Sequence, residues 1–148
     1  MLKQMMSSVL NGDVLENALD FAEFLTANAM NVADAEISYQ GKPVAYMHLG
    51  AGDVCPSPWT IWTEGDYTTD SETISLDSEQ KALAWDKVDP CASCGGECAP
   101  GTNRTIFGRE FSNICNAVMV FYQPNAEELV TLKKLLTIRK FQIDSSKT

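Results

Sequence analysis

Apolar residues at Val14, Ala18, Phe21 and Leu25 recur at helical intervals within GDVLENALDFAEFLTANAM. That spacing lays one apolar stripe along a helix and leaves Glu16, Asp20 and Glu23 toward water. Asp13 with Glu16 supplies a capping-box-like start. The preceding LKQMMSSVLN reads as a short helix stopped by Gly12, a residue suited to left-handed backbone. From Glu36 the pattern changes. EISYQGKPVAYMHLG holds two short segments rich in Ile, Tyr, Val and Met around the turn-former QGKP, a predicted hairpin. PWTIWTEG predicts a third strand with Trp59 and Ile61 on one face and Thr60 and Trp62 on the other, both faces partly covered.

After the polar DYTTDSETISLDS, Asp77 or Ser78 can cap a helix of about two turns over EQKALAWDKV. In TIFGREFSNIC and beyond, Phe107, Phe111, Ile114 and Val118 fall at helical spacing, whereas the apolar NAVMVFYQP favours a strand. The expectation is an irregular or helical piece leading into a buried strand that Pro124 ends. Asn125 and Glu128 form a capping pair ahead of Leu129, Leu132, Leu135 and Leu136, the apolar face of a C-terminal helix. Helices toward both ends with strands between them predict an α+β fold, a mainly antiparallel sheet packed against helices on one side. No repeat or linker breaks the pattern, so residues 1–148 read as a single domain with a Cys-rich metal loop at 88–115.

Composition narrows the function classes. A chain of 148 residues can bury roughly two-thirds of the surface its unfolded form exposes, so it needs no cross-links to fold. Residues 1–98 hold 16 acidic and 4 basic side chains, a charge of −12, while residues 99–148 hold 4 and 7, a charge of +3. The acidic segment repels phosphate backbones, which argues against nucleic acid as a partner. Lys133, Lys134, Arg139 and Lys140 fit the last turns of a helix, where cations complement its dipole. The N-terminal MLKQMMSSVLNG lacks the apolar core of a secretory signal, and AVMVFY is far short of a membrane span, so no membrane association and a cytoplasmic location are expected.

In a reducing cytosol, close-set cysteines serve as metal ligands or redox groups more often than as disulfides. Cys91, Cys94 and Cys98 lie in VDPCASCGGECAPG and Cys115 follows. The C-x-x-C spacing of Cys91 and Cys94 wraps a turn around a metal, Gly95 lets the chain reverse there, and Cys115 can close a tetrahedral shell from a separate element. A structural zinc site is the leading reading. The alternatives for the same residues are an iron–sulfur cluster, a thiol redox pair at Cys91 and Cys94, or unrelated buried cysteines. Arg104 and Arg109 are the cations near enough in sequence to offset thiolate charge. Cys55 has no sequence partner and reads as a small buried or loop residue.

The other candidate chemistry is a ligand cleft. Tyr46, Trp59, Trp62 and Trp85 could line one between sheet and helix, with His48 as a polar anchor, although the same rings would also make a good core. His48 has no Ser, Cys or Asp companion at a catalytic spacing. G-x-S-x-G, P-loop, dinucleotide and H-E-x-x-H motifs are all missing, so a binding domain for a small molecule or protein is expected ahead of an enzyme.

Taken together, WTIW, ALAWDKVDPCASCGGECAPG, TIFGREFSNIC and PNAEELVTLKKLLTIRK resemble a group of small uncharacterised proteins from Gram-positive, often gut-dwelling, bacteria. The likeness spans about residues 59–140. It implies that Cys91, Cys94, Cys98 and Cys115 belong to one unit; it brings no activity and does not identify the metal.

Overall fold

The computed structural model describes residues 2–33, 35–50, 58–65, 67, 68, 74–90 and 102–145; within these, the side chains of 89, 90, 102, 113 and 115–117 lie outside the description. Helices α1 (Leu2–Val9) and α2 (Gly12–Ala27) lead into strands β1 (Met30–Ala33), β2 (Glu36–Tyr39), β3 (Lys42–Leu49) and β4 (Trp59–Glu64). Helix α3 (Ser78–Asp86), strands β5 (Val88–Pro90), β6 (Thr102–Ile106) and β7 (Arg109–Tyr122), and helix α4 (Ala126–Ser145) complete the order. The strands form one antiparallel sheet in the order β1-β2-β3-β4-β7-β5, with β6 also paired to β7. The expected α+β class is therefore the observed one.

The face under the helices holds the core. Phe21 of α2 lies 6.1 Å, ring to ring, from Trp59, and Met47, Ile61, Met119 and Phe121 are buried with Leu132, Leu135 and Leu136 of α4. Alternation of in and out along the strands is interrupted where the register shifts, and at two of these places consecutive residues are both buried. Where β2 meets β3, Val44 is the extra residue, and Val44 and Ala45 are both fully buried although they are neighbours. Where β4 meets β7, Val118 and Met119 together oppose Thr63, and both are buried. A bulge turns two consecutive side chains to the same face and leaves an amide without its ladder partner. Here the Met119 amide donates to Thr63 Oγ1 at 3.2 Å, which accounts for a buried threonine in an apolar layer.

Capping follows the sequence at two of three helices. Asp77 and Gln80 exchange both hydrogen bonds of a capping box at α3, and Asn125 and Glu128 do so at α4 (2.8 and 3.1 Å). At α2 the expected Asp13–Glu16 start is corrected: Asn11 is the capping residue, with no side-chain cap bond. Helices α3 and α4 run antiparallel, tied by Lys134 Nζ to Gln80 Oε1 (2.9 Å) at one end and by Lys87 Nζ to Glu128 Oε2 (2.6 Å) at the other. Among the described residues no helix is long and apolar enough to cross a membrane.

The segment TIFGREFSNIC differs from its expectation. It forms a β-hairpin, because Phe107 and Gly108 both adopt positive φ (47° and 85°) between the paired Ile106 and Arg109. Two consecutive left-handed residues make the tight turn whose twist matches that of flanking strands. Gln40 and Gly41 (52° and 81°) build the β2–β3 turn in the same way, as QGKP predicted. Phe107 is a costly residue for that conformation. Tertiary contacts hold it: its amide donates to the Tyr67 carbonyl at 2.7 Å and its ring packs 6.1 Å from that of Tyr67.

Candidate functional site

Strand β7 is central to the candidate metal centre. Val88 of β5 pairs with Met119 and Pro90 with Ile114. Thr102 of β6 also pairs with Ile114, and Arg104 pairs with Phe111. A strand residue has two lateral neighbours, so Pro90 and Thr102 stand on opposite edges of β7 at Ile114. The connection between them, residues 91–101, is eleven residues long and carries Cys91, Cys94 and Cys98; Cys115 follows Ile114 in β7. Both ends of the cysteine segment are thus pinned at the residue preceding the fourth cysteine. Proline suits this place, since β5 has no neighbour but β7 among the described strands and its outer edge needs no amide donor.

Cys55, Cys91, Cys94 and Cys98 lie outside the described residues, as does the side chain of Cys115. Among the described residues no group of three or more His, Cys, Asp or Glu could hold a metal. The two arginines near the segment divide. The Arg109 guanidinium lies over the rings of Trp85 (5.7 Å) and Phe111 (5.3 Å) at the hairpin end, five positions from Ile114, or roughly 16 Å along a strand. It belongs to an aromatic clamp and not to the neighbourhood of Cys115. Arg104, half-buried and opposite Phe111, is nearer.

The five residues expected to line a ligand cleft fall into three surroundings. Trp59 is fully buried under α2, with its indole Nε1 donating to Met47 Sδ at 3.4 Å. Trp85, on α3, donates from its indole to the Ile106 carbonyl at 2.7 Å and so fastens α3 to the β6–β7 hairpin. Tyr46 and Trp62 are direct cross-strand partners on the opposite face from Trp59, and His48 pairs with Thr60 beside them. These three are half-buried. The His48 ring places Nε2 2.5 Å from the Gly50 carbonyl oxygen. A carbonyl can only accept, so Nε2 is the donor in this contact. The cavity that includes His48, about 430 Å³, is lined by aliphatic and thioether side chains from Leu2, Met5, Val32 and Met47 and by none of the four aromatics.

Electrostatics on the open face are set by Tyr46, whose hydroxyl donates to Glu64 Oε2 at 2.7 Å. Burial, and then the hydrogen bond and charge of Glu64, hold its ionisation well above the ordinary tyrosine range. Tyr67, donating to the carbonyls of Glu64 (3.1 Å) and Leu135 (3.4 Å), is raised similarly, chiefly by burial. A folded chain that keeps protons which the unfolded chain releases loses stability as pH rises. This contribution is fully present below about pH 10, where an unfolded tyrosine ionises, and declines above it. Thermal melts are therefore expected to be insensitive to these groups up to about pH 10 and to fall beyond it, with a shallower fall in Tyr67→Phe. An unchanged alkaline slope in that variant would remove Tyr67 from the account.

Comparison with protein-family models, with curated proteins and with solved structures returns no match. The arrangement around Ile114 itself was not readable from residue spacing, because which strands flank β7 is a matter of sheet order.

Proposed function

We propose that this chain is a non-enzymatic domain stabilised by a structural zinc ion held by Cys91, Cys94, Cys98 and Cys115, and that it binds a small molecule or a protein partner. The observation that carries the metal half is the pairing of Pro90 and Thr102 with the same residue, Ile114. A loop whose ends are already fixed by a sheet has less chain entropy left to lose when its thiolates converge on one ion. The donor set also fits. Four thiolates satisfy zinc completely, leave no open position for substrate, and supply folding energy in place of reactivity. Zinc with four thiolates carries a net charge of −2, for which Arg104 is the nearer counter-charge. The C-x-x-C pair follows a strand, and the next described element is again a strand, unlike the strand-to-helix setting of a thioredoxin-type pair.

Elemental analysis of the purified protein tests this reading, with about one zinc per chain expected for a closed four-cysteine site. Thiol titration should find four cysteines protected until a chelator is added. Two thiols reacting fast in the untreated protein would favour redox chemistry, and a brown protein containing iron and sulfide would replace zinc by a cluster.

A further inference from the structure

The partner half of the proposed function can be made specific without the metal half. Helices α3 and α4 lie antiparallel and the furrow between them is a groove of about 790 Å³. Its lining includes Leu83, Ala82 and Val130, and Val130 is 51% exposed, one of five large apolar side chains left open to solvent among the described residues. Its rim carries Glu79 and Asp86 from α3 and Glu127 from α4, all exposed. Glu79, Ala82, Leu83 and Asp86 share one stripe of α3, while Glu127 and Val130 share one of α4. The acids that do structural work are different ones: Asp77 caps α3, and Glu128 caps α4 and pairs with Lys87. Of the cations of α4, Lys133 pairs with Asp20, Arg139 donates to the Pro43 carbonyl and Lys140 lies over the Tyr39 ring, all away from the groove, while Lys134 is held by Gln80 at its edge.

We infer that this groove docks a cationic amphipathic helix of a partner protein, its apolar side on Val130 and Leu83 and its Lys or Arg side chains against Glu79, Asp86 and Glu127. Two antiparallel helices offer a third a ready channel for ridge-into-groove packing. Acidic rims around an apolar floor select a helix of the opposite charge pattern and reject an acidic one. The contact is smaller than a standard interface, since α3 is only nine residues long. Binding in the micromolar range, with fast exchange, is the matching expectation.

The experiment uses the full chain as purified and a fluorescent peptide of about three helical turns bearing Lys residues around a Leu and Ala stripe, with a Glu-for-Lys counterpart. The Lys peptide should bind and the Glu peptide should not. Val130→Asp should weaken binding at least about tenfold. Asp86→Lys should weaken it comparably while leaving the fold intact, because a cation at the C-terminal end of α3 suits the helix dipole. Glu16→Lys, an exposed charge reversal on α2 outside the groove, should change it by less than about threefold. Equal losses from Asp86→Lys and Glu16→Lys would reduce the effect to general attraction and overturn the proposal, as would normal binding by Val130→Asp. A dimer of the protein alone that Val130→Asp dissociates would put a second copy of this chain in the groove and also overturn it. None of these outcomes alters metal content or thiol protection, so the two halves of the proposed function fail separately.

Discussion

Replacement of Trp59 by alanine is expected to destabilise the fold by about 3–5 kcal/mol, the range for emptying a large buried aromatic site. The ring is fully buried, packs against Phe21 and gives its indole proton to Met47 Sδ, so truncation opens a cavity and removes the donor facing that sulfur. For a domain of this length the corresponding fall in melting temperature is about 10 °C or more. Trp62→Ala is the comparison. Trp62 is half-buried on the other face, opposite Tyr46 and Val120, and its loss should cost about 1 kcal/mol of cross-strand contact. Urea unfolding of both variants measures the difference. If Trp62→Ala proved as damaging as Trp59→Ala, the open face would be as much a core as the helix-covered one.

Chelation carries the second large expectation. Removing zinc from the proposed site should lower the melting temperature by at least about 10 °C, the shift that roughly 3–4 kcal/mol gives a domain of this size. The loss should be local before it is global. Strand β6 and residues 109–114 of β7 pair with one another, whereas residues 117–122 of β7 are built into β4. Amide exchange after chelation should therefore speed up at residues 102–106 and 109–114 while β3, β4 and α4 keep their protection. Uniform exchange across both regions, or a melting temperature indifferent to the chelator, would contradict a structural role for the metal.

Much of this fold was legible where a local rule and the tertiary structure agree. The stripe of Ala18, Phe21 and Leu25, the reciprocal caps at Asp77 and Asn125, and the Gln40–Gly41 turn are each settled within a few residues of chain. The misreading of the segment from Phe107 to Val118 has a physical cause. Phe107, Phe111, Ile114 and Val118 fall at helical spacing, yet they lie on a hairpin whose bulges break the two-residue alternation and imitate a helix period. Helical spacing alone could not reveal that Tyr67 supplies the carbonyl and ring that keep Phe107 in a left-handed turn. The candidate aromatics were divided by a simpler fact: Trp59 and Trp62 are an odd number of residues apart on one strand and so cannot share a face. Strands β1, β5 and β6 are short and went unread, and the last two are the ones that bring the ends of the cysteine segment to β7.

Strand β7 also governs the order in which the chain can mature during synthesis. Strands β1 to β3 pair only with their neighbours in sequence, and β4 has β3 as its first partner, so β1 to β4 can assemble as consecutive hairpins while later residues are still within the ribosome. The inner partner of β4 is residues 117–122, and the covering leucines of α4 come later still. Until then Ile61 and Trp59 occupy an edge strand whose apolar face lacks its α4 cover, the kind of exposure that recruits chaperones or seeds aggregation. Slowing translation before β7 emerges would lengthen that exposed interval, whereas the same pause after α4 has emerged would find the sheet already closed.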